Sequence, residues 1–258
     1  MTWRDAVALA TGTLSVLPAG VPRTVDRAVA GRAMALAPAV AVPIGAAAAV
    51  VTGAADRLRP DAHLLSAVLG VATVVAVSGA LHLDGLADTA DGLGSRRDRD
   101  AMLAIMRQGD VGPFGVATVV LVLFTDVAAL TACLGSGIGW QAILVATVAS
   151  RAVLPWACRR GVPSARPDGL GATVAGSVRP WTAVVIVLLA AVGAAALLLP
   201  HGPRPAAVAA GAVLLAVAAG DLVVRRCVRA LSGVTGDVLG AAVETGLAAA
   251  LLLLALLA

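Results

Sequence analysis

The stretch HLLSAVLGVATVVAVSGALHLDGLADTADGLG, residues 63–94, is apolar over its first two-thirds and then sets Asp84, Asp88 and Asp91 where the apolar run stops. A run of about 20 apolar residues matches a crossing of a hydrocarbon slab about 30 Å thick. The composition agrees: 60% of the 258 residues are hydrophobic and 13% charged, against about a quarter charged in soluble chains, and the mean hydropathy is +0.96. Similar runs fall near residues 36–55, 63–83, 113–134, 139–157, 181–200, 205–224 and 237–258. Joints between them are too short for a separate aqueous core, so residues 1–258 read as a single membrane-embedded domain. The expected fold is an all-α polytopic integral membrane bundle of about seven transmembrane helices. A backbone facing lipid must satisfy its own hydrogen bonds, and the period-2 alternation of a barrel strand is absent.

Every cation is an arginine, and they alternate by loop. Sixteen fall on one side (Arg4, Arg23, Arg27, Arg32; Arg96, Arg97, Arg99, Arg107; Arg151, Arg159, Arg160, Arg166, Arg179; Arg225, Arg226, Arg229), against Arg57, Arg59 and Arg204 on the other. The positive-inside rule then puts the N-terminus in the cytoplasm and the C-terminus outside, in the cytoplasmic (inner) membrane of the cell. The net charge of +4 and pI of 10.1 do not indicate nucleic acid, because the arginines flank membrane segments instead of forming one basic face with aromatics. Cys133, Cys158 and Cys227 show no metal-ligand spacing and read as packing residues. MTWRDAVALATGTLSVLPAG, residues 1–20, reads as an interfacial helix or re-entrant piece more readily than as a signal peptide.

Asp84, Asp88 and Asp91 are spaced i, i+4, i+7, within a sector of about 60° on one helical face. Two readings fit that spacing: a site for a hard divalent cation such as Mg²⁺, or a solvated loop whose acids balance the nearby arginines. The first is favoured by Gly85, Gly92 and Gly94, which leave room for a bulky anion, and by RRDRDAMLAIMR at 96–107, which reads as an amphipathic helix on the inner leaflet. Carboxylates for Mg²⁺ beside arginines for phosphate are what phosphoryl transfer needs. Asp237 and Glu244 in SGVTGDVLGAAVETG, 232–246, lie seven residues apart on one face, and Glu244 falls about two turns inside the membrane, where an ionisable group marks a functional site. Arg151 in SRAVLPW divides evenly between a topological and a catalytic role, and Arg166 beside the Gly-rich turn of ARPDGLGATVAG is a candidate phosphate clamp, though a surface arginine is the commoner fate.

Taken together, HLDGLADTADGL (82–93), RDRDAMLAIMR (97–107), GPFG (112–115), ASR (149–151), DGLG (168–171) and SGVTGDVLGAAVETG (232–246) resemble the cobalamin synthase, or adenosylcobinamide-GDP ribazoletransferase, family. The resemblance implies an Mg²⁺-dependent phosphotransferase that joins adenosylcobinamide-GDP to α-ribazole or its 5′-phosphate and releases GMP late in cobalamin (vitamin B12) biosynthesis. It implies metal ligands at Asp84, Asp88, Asp91 and Asp237, catalytic roles for Asp84, Asp237 and Glu244, and substrate binding by His82, Arg107, Ser150, Arg151, Arg166 and Thr235, with the active site on the cytoplasmic side. Membrane lipids are the remaining expected partner, and a homo-oligomer is compatible with the sequence.

Three positions depart from the family pattern. IMRQGDVG has Gln108 and Asp110 where an acid and an arginine are expected, and Asp126 stands in mid-span where a lysine is expected. A CDP-alcohol phosphotransferase is the nearest rival, but DGLAD places Asp88 where its motif needs Ala-Arg. A proton-coupled transporter would explain Asp126 and Glu244, but the paired repeats usual in transporters are absent.

Overall fold

A computed structural model describes residues 3–257. All regular elements among them are helical: α1 (Trp3–Leu14), α2 (Arg27–Leu58), α3 (His63–Val77), α4 (Leu81–Gly94), α5 (Arg99–Ile105), α6 (Pro113–Gly135), α7 (Gly139–Ala157), α8 (Gly169–Val174), α9 (Pro180–Leu198), α10 (Pro203–Leu231) and α11 (Gly236–Leu257).

Five of these, α2, α6, α9 with the 3-10 turn after it, α10 and α11, are long and apolar enough to cross a membrane, and α3 with α4 makes a sixth if that bent pair is one span. The expected count of seven is therefore not reached. The shortfall is α7, which carries Gln141, Ser150 and Arg151 and is enclosed by its neighbours over most of its length. Such a helix faces protein and needs less apolarity than one facing lipid.

The second expected span, 63–83, is also broken. α3 stops at Val77, and α4 leaves at 88° to it. The turn is made by Gly79 and Ala80, both left-handed at φ of 64° and 56°. Ala80 pays a steric penalty there that glycine would not. The bend turns α4 out of line with α3 and lays it across the first turns of α11.

Small residues allow close helix approach throughout. A Cβ at Gly246 would meet the Val153 side chain and the Ala216 carbonyl, so α7, α10 and α11 converge there. α1 buries Ala6, Ala10 and Leu14 against the protein. α5 differs from expectation: Met102, Leu103 and Met106 join the protein core instead of facing a leaflet, and Arg99 donates to the carbonyls of Leu231 (2.9 Å) and Ala165 (2.6 Å). All three cysteines are buried and unpaired.

Candidate active site

The site is built where α4 crosses the start of α11. Gly85 and Gly240 make the crossing: a Cβ at Gly85 would lie 2.7 Å from the Asp237 carbonyl oxygen, and one at Gly240 would lie 3.1 Å from that of His82. This contact brings the early acids to the late one, and the charges of Asp84 and Asp237 both act on Asp88. The spacing of Asp84, Asp88 and Asp237 in sequence thus becomes a shared patch in space.

The start of α11 is held from below. Ser232 is left-handed, the Gly233 Cα is packed against the Ser164–Ala165 peptide, and Val234 exchanges backbone bonds with the 163–165 segment (Ala165 N–H to Val234 O, 2.9 Å; Val234 N–H to Pro163 O, 2.9 Å). The Thr235 hydroxyl donates to Asp237 Oδ2 (3.1 Å) and accepts from the Val238 N–H (3.2 Å), a helix cap that also orients the carboxylate. Gly233→Ala is expected to break this clamp and lower both the melting temperature and activity, measurable on purified protein.

Arginines complete the patch. Arg166 donates from Nη2 to the Leu103 carbonyl (2.8 Å), which aims its Nη1 to within 3.8 Å of Asp237 Oδ2. Burial lowers the proton affinity of this guanidinium, and the Asp237 carboxylate raises it. Arg107 pairs with Asp168 at 2.8 Å, both of them exposed. Two cavities meet along Asp237. One of about 470 Å³ is lined by Arg107, Arg166, Asp168, Thr235 and Asp237. The other, of about 350 Å³, is lined by His82, Asp84 and Asp237, with Leu14, Met34 and Leu154 as an apolar wall.

Asp91 is used differently from its helical neighbours. Its two oxygens accept backbone N–H groups from Gly112 (2.7 Å) and Gly115 (2.9 Å), tying α4 to the first turn of α6. Gly112 and Gly115 have to be glycines because a Cβ at either would overlap that carboxylate. Gly92 and Gly94 likewise make room for Met106 and Phe114 instead of for an anion. Hydrogen bonds to a charged group contribute about 1.5–3 kcal/mol each. Asp91→Ala is therefore expected to lower stability by about 3 kcal/mol, as read from denaturation in detergent.

Ser150, Arg151 and Glu244 lie beneath the patch. Arg151 and Ser150 are fully enclosed, and Glu244 is about 10 Å below Asp237 along α11. Arg151 donates to the Ser150 hydroxyl (2.9 Å) and lies 3.4 Å from His82 Nδ1, and its charge acts on Glu244. Asp126, whose oxygens have no hydrogen-bond partner among the described residues, feels Glu244 as well. His82 joins this lower group to the cavity. A buried ionic contact that the sequence reading missed is Asp221, which takes Trp156 Nε1 at 3.0 Å and pairs with Arg159 and Arg225. An acid one turn before Arg225 in an apolar helix was the available signal.

Among the described residues no three acidic, histidine or cysteine side chains lie close enough to hold a metal ion by themselves. That suits Mg²⁺, which binds through one or two carboxylates and takes its other ligands from water and substrate phosphates. One or two of the hard carboxylates Asp84, Asp88 and Asp237 would fit such an ion, and Asp91 is already engaged by backbone.

These features define a polytopic membrane protein with acids and arginines gathered at one end of its bundle, the charge arrangement that a phosphorylated substrate demands. The chain belongs to the cobalamin-5-phosphate synthase family, whose model matches residues 6–255. It is 42% identical over 254 residues to the adenosylcobinamide-GDP ribazoletransferase of Frankia casuarinae, covering 94% of this chain and 91% of that protein. The Nocardioides sp. protein of the same name is 43% identical, covering 96% and 97%, and that of Bradyrhizobium diazoefficiens 38% identical, covering 95% and 92%. No solved structure matches the chain.

Proposed function

We infer that this chain is an adenosylcobinamide-GDP ribazoletransferase, in which a ribose hydroxyl of α-ribazole or its 5′-phosphate attacks the cobinamide-side phosphorus of adenosylcobinamide-GDP. The new P–O bond forms as the bond to the GMP oxygen breaks, and GMP leaves. The observation that carries this reading is that Asp237 lines both the cavity holding Arg107 and Arg166 and the cavity holding Asp84, with Asp88 close enough to feel the charges of Asp84 and Asp237.

One or two carboxylates among Asp84, Asp88 and Asp237 would hold Mg²⁺, which when bound would supply positive charge to the diphosphate. Arg107 and Arg166 bind phosphate oxygens, with the planar guanidinium suited to paired contacts. The hydroxyl proton passes to one of the carboxylates that line the cavity, Asp84 or Asp237. Glu244, Ser150 and Arg151 act from below by holding His82 and the α4–α11 crossing. The wall of Leu14, Met34 and Leu154 suits the apolar parts of the corrinoid.

The arginine-rich end faces the cytoplasm in this account, because the nucleotide substrates are there and the loop arginines follow the positive-inside rule. The enzyme is thus a multi-pass protein of the cytoplasmic membrane. Membranes carrying it, supplied with adenosylcobinamide-GDP, α-ribazole and Mg²⁺, are expected to release GMP, and chelation by EDTA to stop the release until Mg²⁺ is restored. Absence of GMP from folded protein under these conditions overturns the reading.

A further inference from the structure

At the arginine-rich end, on the far side of Arg27 from the active site, a second cavity of about 640 Å³ is lined by Arg27, Arg32, Arg160 and Arg179, with Trp3 and Trp181 at its rim. No acid lines it. Among the described residues none of the four arginines makes an ion pair with a carboxylate, whereas Arg107 and Arg166 of the active site each have one. Arg27 is steadied by the Ala175 carbonyl (3.2 Å), and Arg32 stacks 5.4 Å from the centre of the Trp3 ring. Ser177 also lines this cavity, and its hydroxyl is buried without a partner among the described residues. Four like charges that converge without a counter-ion call for an anion, and guanidinium groups with a hydroxyl favour phosphate.

Directly below is an apolar groove of about 510 Å³ between α2, α7 and α9, lined by Pro38, Val42, Leu144, Leu189, Gly193 and Leu197. Ala35 lines both the groove and the basic cavity, so the two adjoin. From Ile186 to Leu197 the groove runs about 16 Å along α9, roughly one leaflet of a hydrocarbon slab about 30 Å thick. Trp3 and Trp181, each 62% exposed, line the basic cavity above it, as tryptophans do at a membrane–water boundary.

We propose that this cavity and groove form a site for one anionic glycerophospholipid, with its phosphate among Arg27, Arg32, Arg160 and Arg179 and an acyl chain between α2 and α9. A free phosphate or nucleotide would use the head cavity and leave the groove uncovered, so the adjacency of the two favours the lipid. Basic pockets between helices at a membrane's inner face recognise anionic headgroups in this way. The site shares no residue with the cavities of the proposed reaction, so its test is independent of that reading.

The test uses the full chain, purified and stripped of lipid in neutral detergent, then exposed to mixed micelles of phosphatidylglycerol or phosphatidylcholine with identical chains. Lipid retained after gel filtration is counted by mass spectrometry. Phosphatidylglycerol is expected to be retained about one per chain and phosphatidylcholine at least tenfold less. Arg32→Ala with Arg179→Ala is expected to weaken retention about 30-fold. Gly193→Leu, whose added atoms begin in open space, is expected to fill the groove and weaken retention about tenfold while melting like the parent protein in phosphatidylcholine. Equal retention of the two lipids, parent-like retention by both variants, or full displacement of phosphatidylglycerol by millimolar inorganic phosphate each overturns the proposal.

Discussion

Asp84→Asn is expected to lower GMP release by about 10³-fold while leaving the protein folded. Asp84 lines the cavity that contains Asp237, and among the described residues no hydrogen bond or ion pair engages its carboxylate. Its negative charge is therefore not spent on holding the helix, beyond the modest benefit of about 0.3–1 kcal/mol that an acid brings to the first turn of α4. Asparagine has the same shape but no charge to set against a cation on the diphosphate. Removing one preorganised electrostatic contact from phosphoryl-transfer chemistry costs about 3–4 kcal/mol of transition-state stabilisation, and each 1.36 kcal/mol is about tenfold in rate. The check is single-turnover GMP release beside a melting curve. An activity loss accompanied by a matching fall in melting temperature would assign Asp84 a structural role instead.

Arg151→Met is expected to produce the largest loss of stability of any single change in the chain. The guanidinium is wholly enclosed, contacts Ser150 and His82, and supplies the positive charge acting on buried Glu244. Removing one member of a buried charged group leaves the other uncompensated, at a cost of about 3–5 kcal/mol. For a chain of this size that is a fall of about 10 °C in melting temperature. Arg151→Met combined with Glu244→Gln removes both charges and is expected to recover more than half of the loss. Thermal unfolding in detergent distinguishes the cases: if the double variant is no better than Arg151→Met, the charges of Arg151 and Glu244 are not coupled.

Membrane character was legible in the apolar runs, and α2, α6, α9, α10 and α11 fall where those runs predict. The bend at Gly79–Ala80 was not legible, because apolar residues continue through it and Ala80 does not advertise a left-handed backbone. Helical periodicity correctly placed Asp84 and Asp88 on one face, but it treated Asp91 as their equal. Only the fold shows that the GPFG turn comes back to occupy Asp91. In the same way, the seven-residue spacing put Glu244 on the face of Asp237 and two turns deeper but did not name its partner, and the packing of α7 against α11 gives Glu244 to Arg151. The apolar side of α5 read as lipid-facing because periodicity reports burial without naming what does the burying.

The account turns on whether Asp84 from α4 and Asp237 from α11 serve the same reacting group. A double-mutant cycle on GMP release measures this directly, using Asp84→Asn, Asp237→Asn and the pair. Residues that act as a unit are non-additive. The predicted result is a double variant no slower than the worse single one. Losses that multiply, as for two independent sites, would contradict the account.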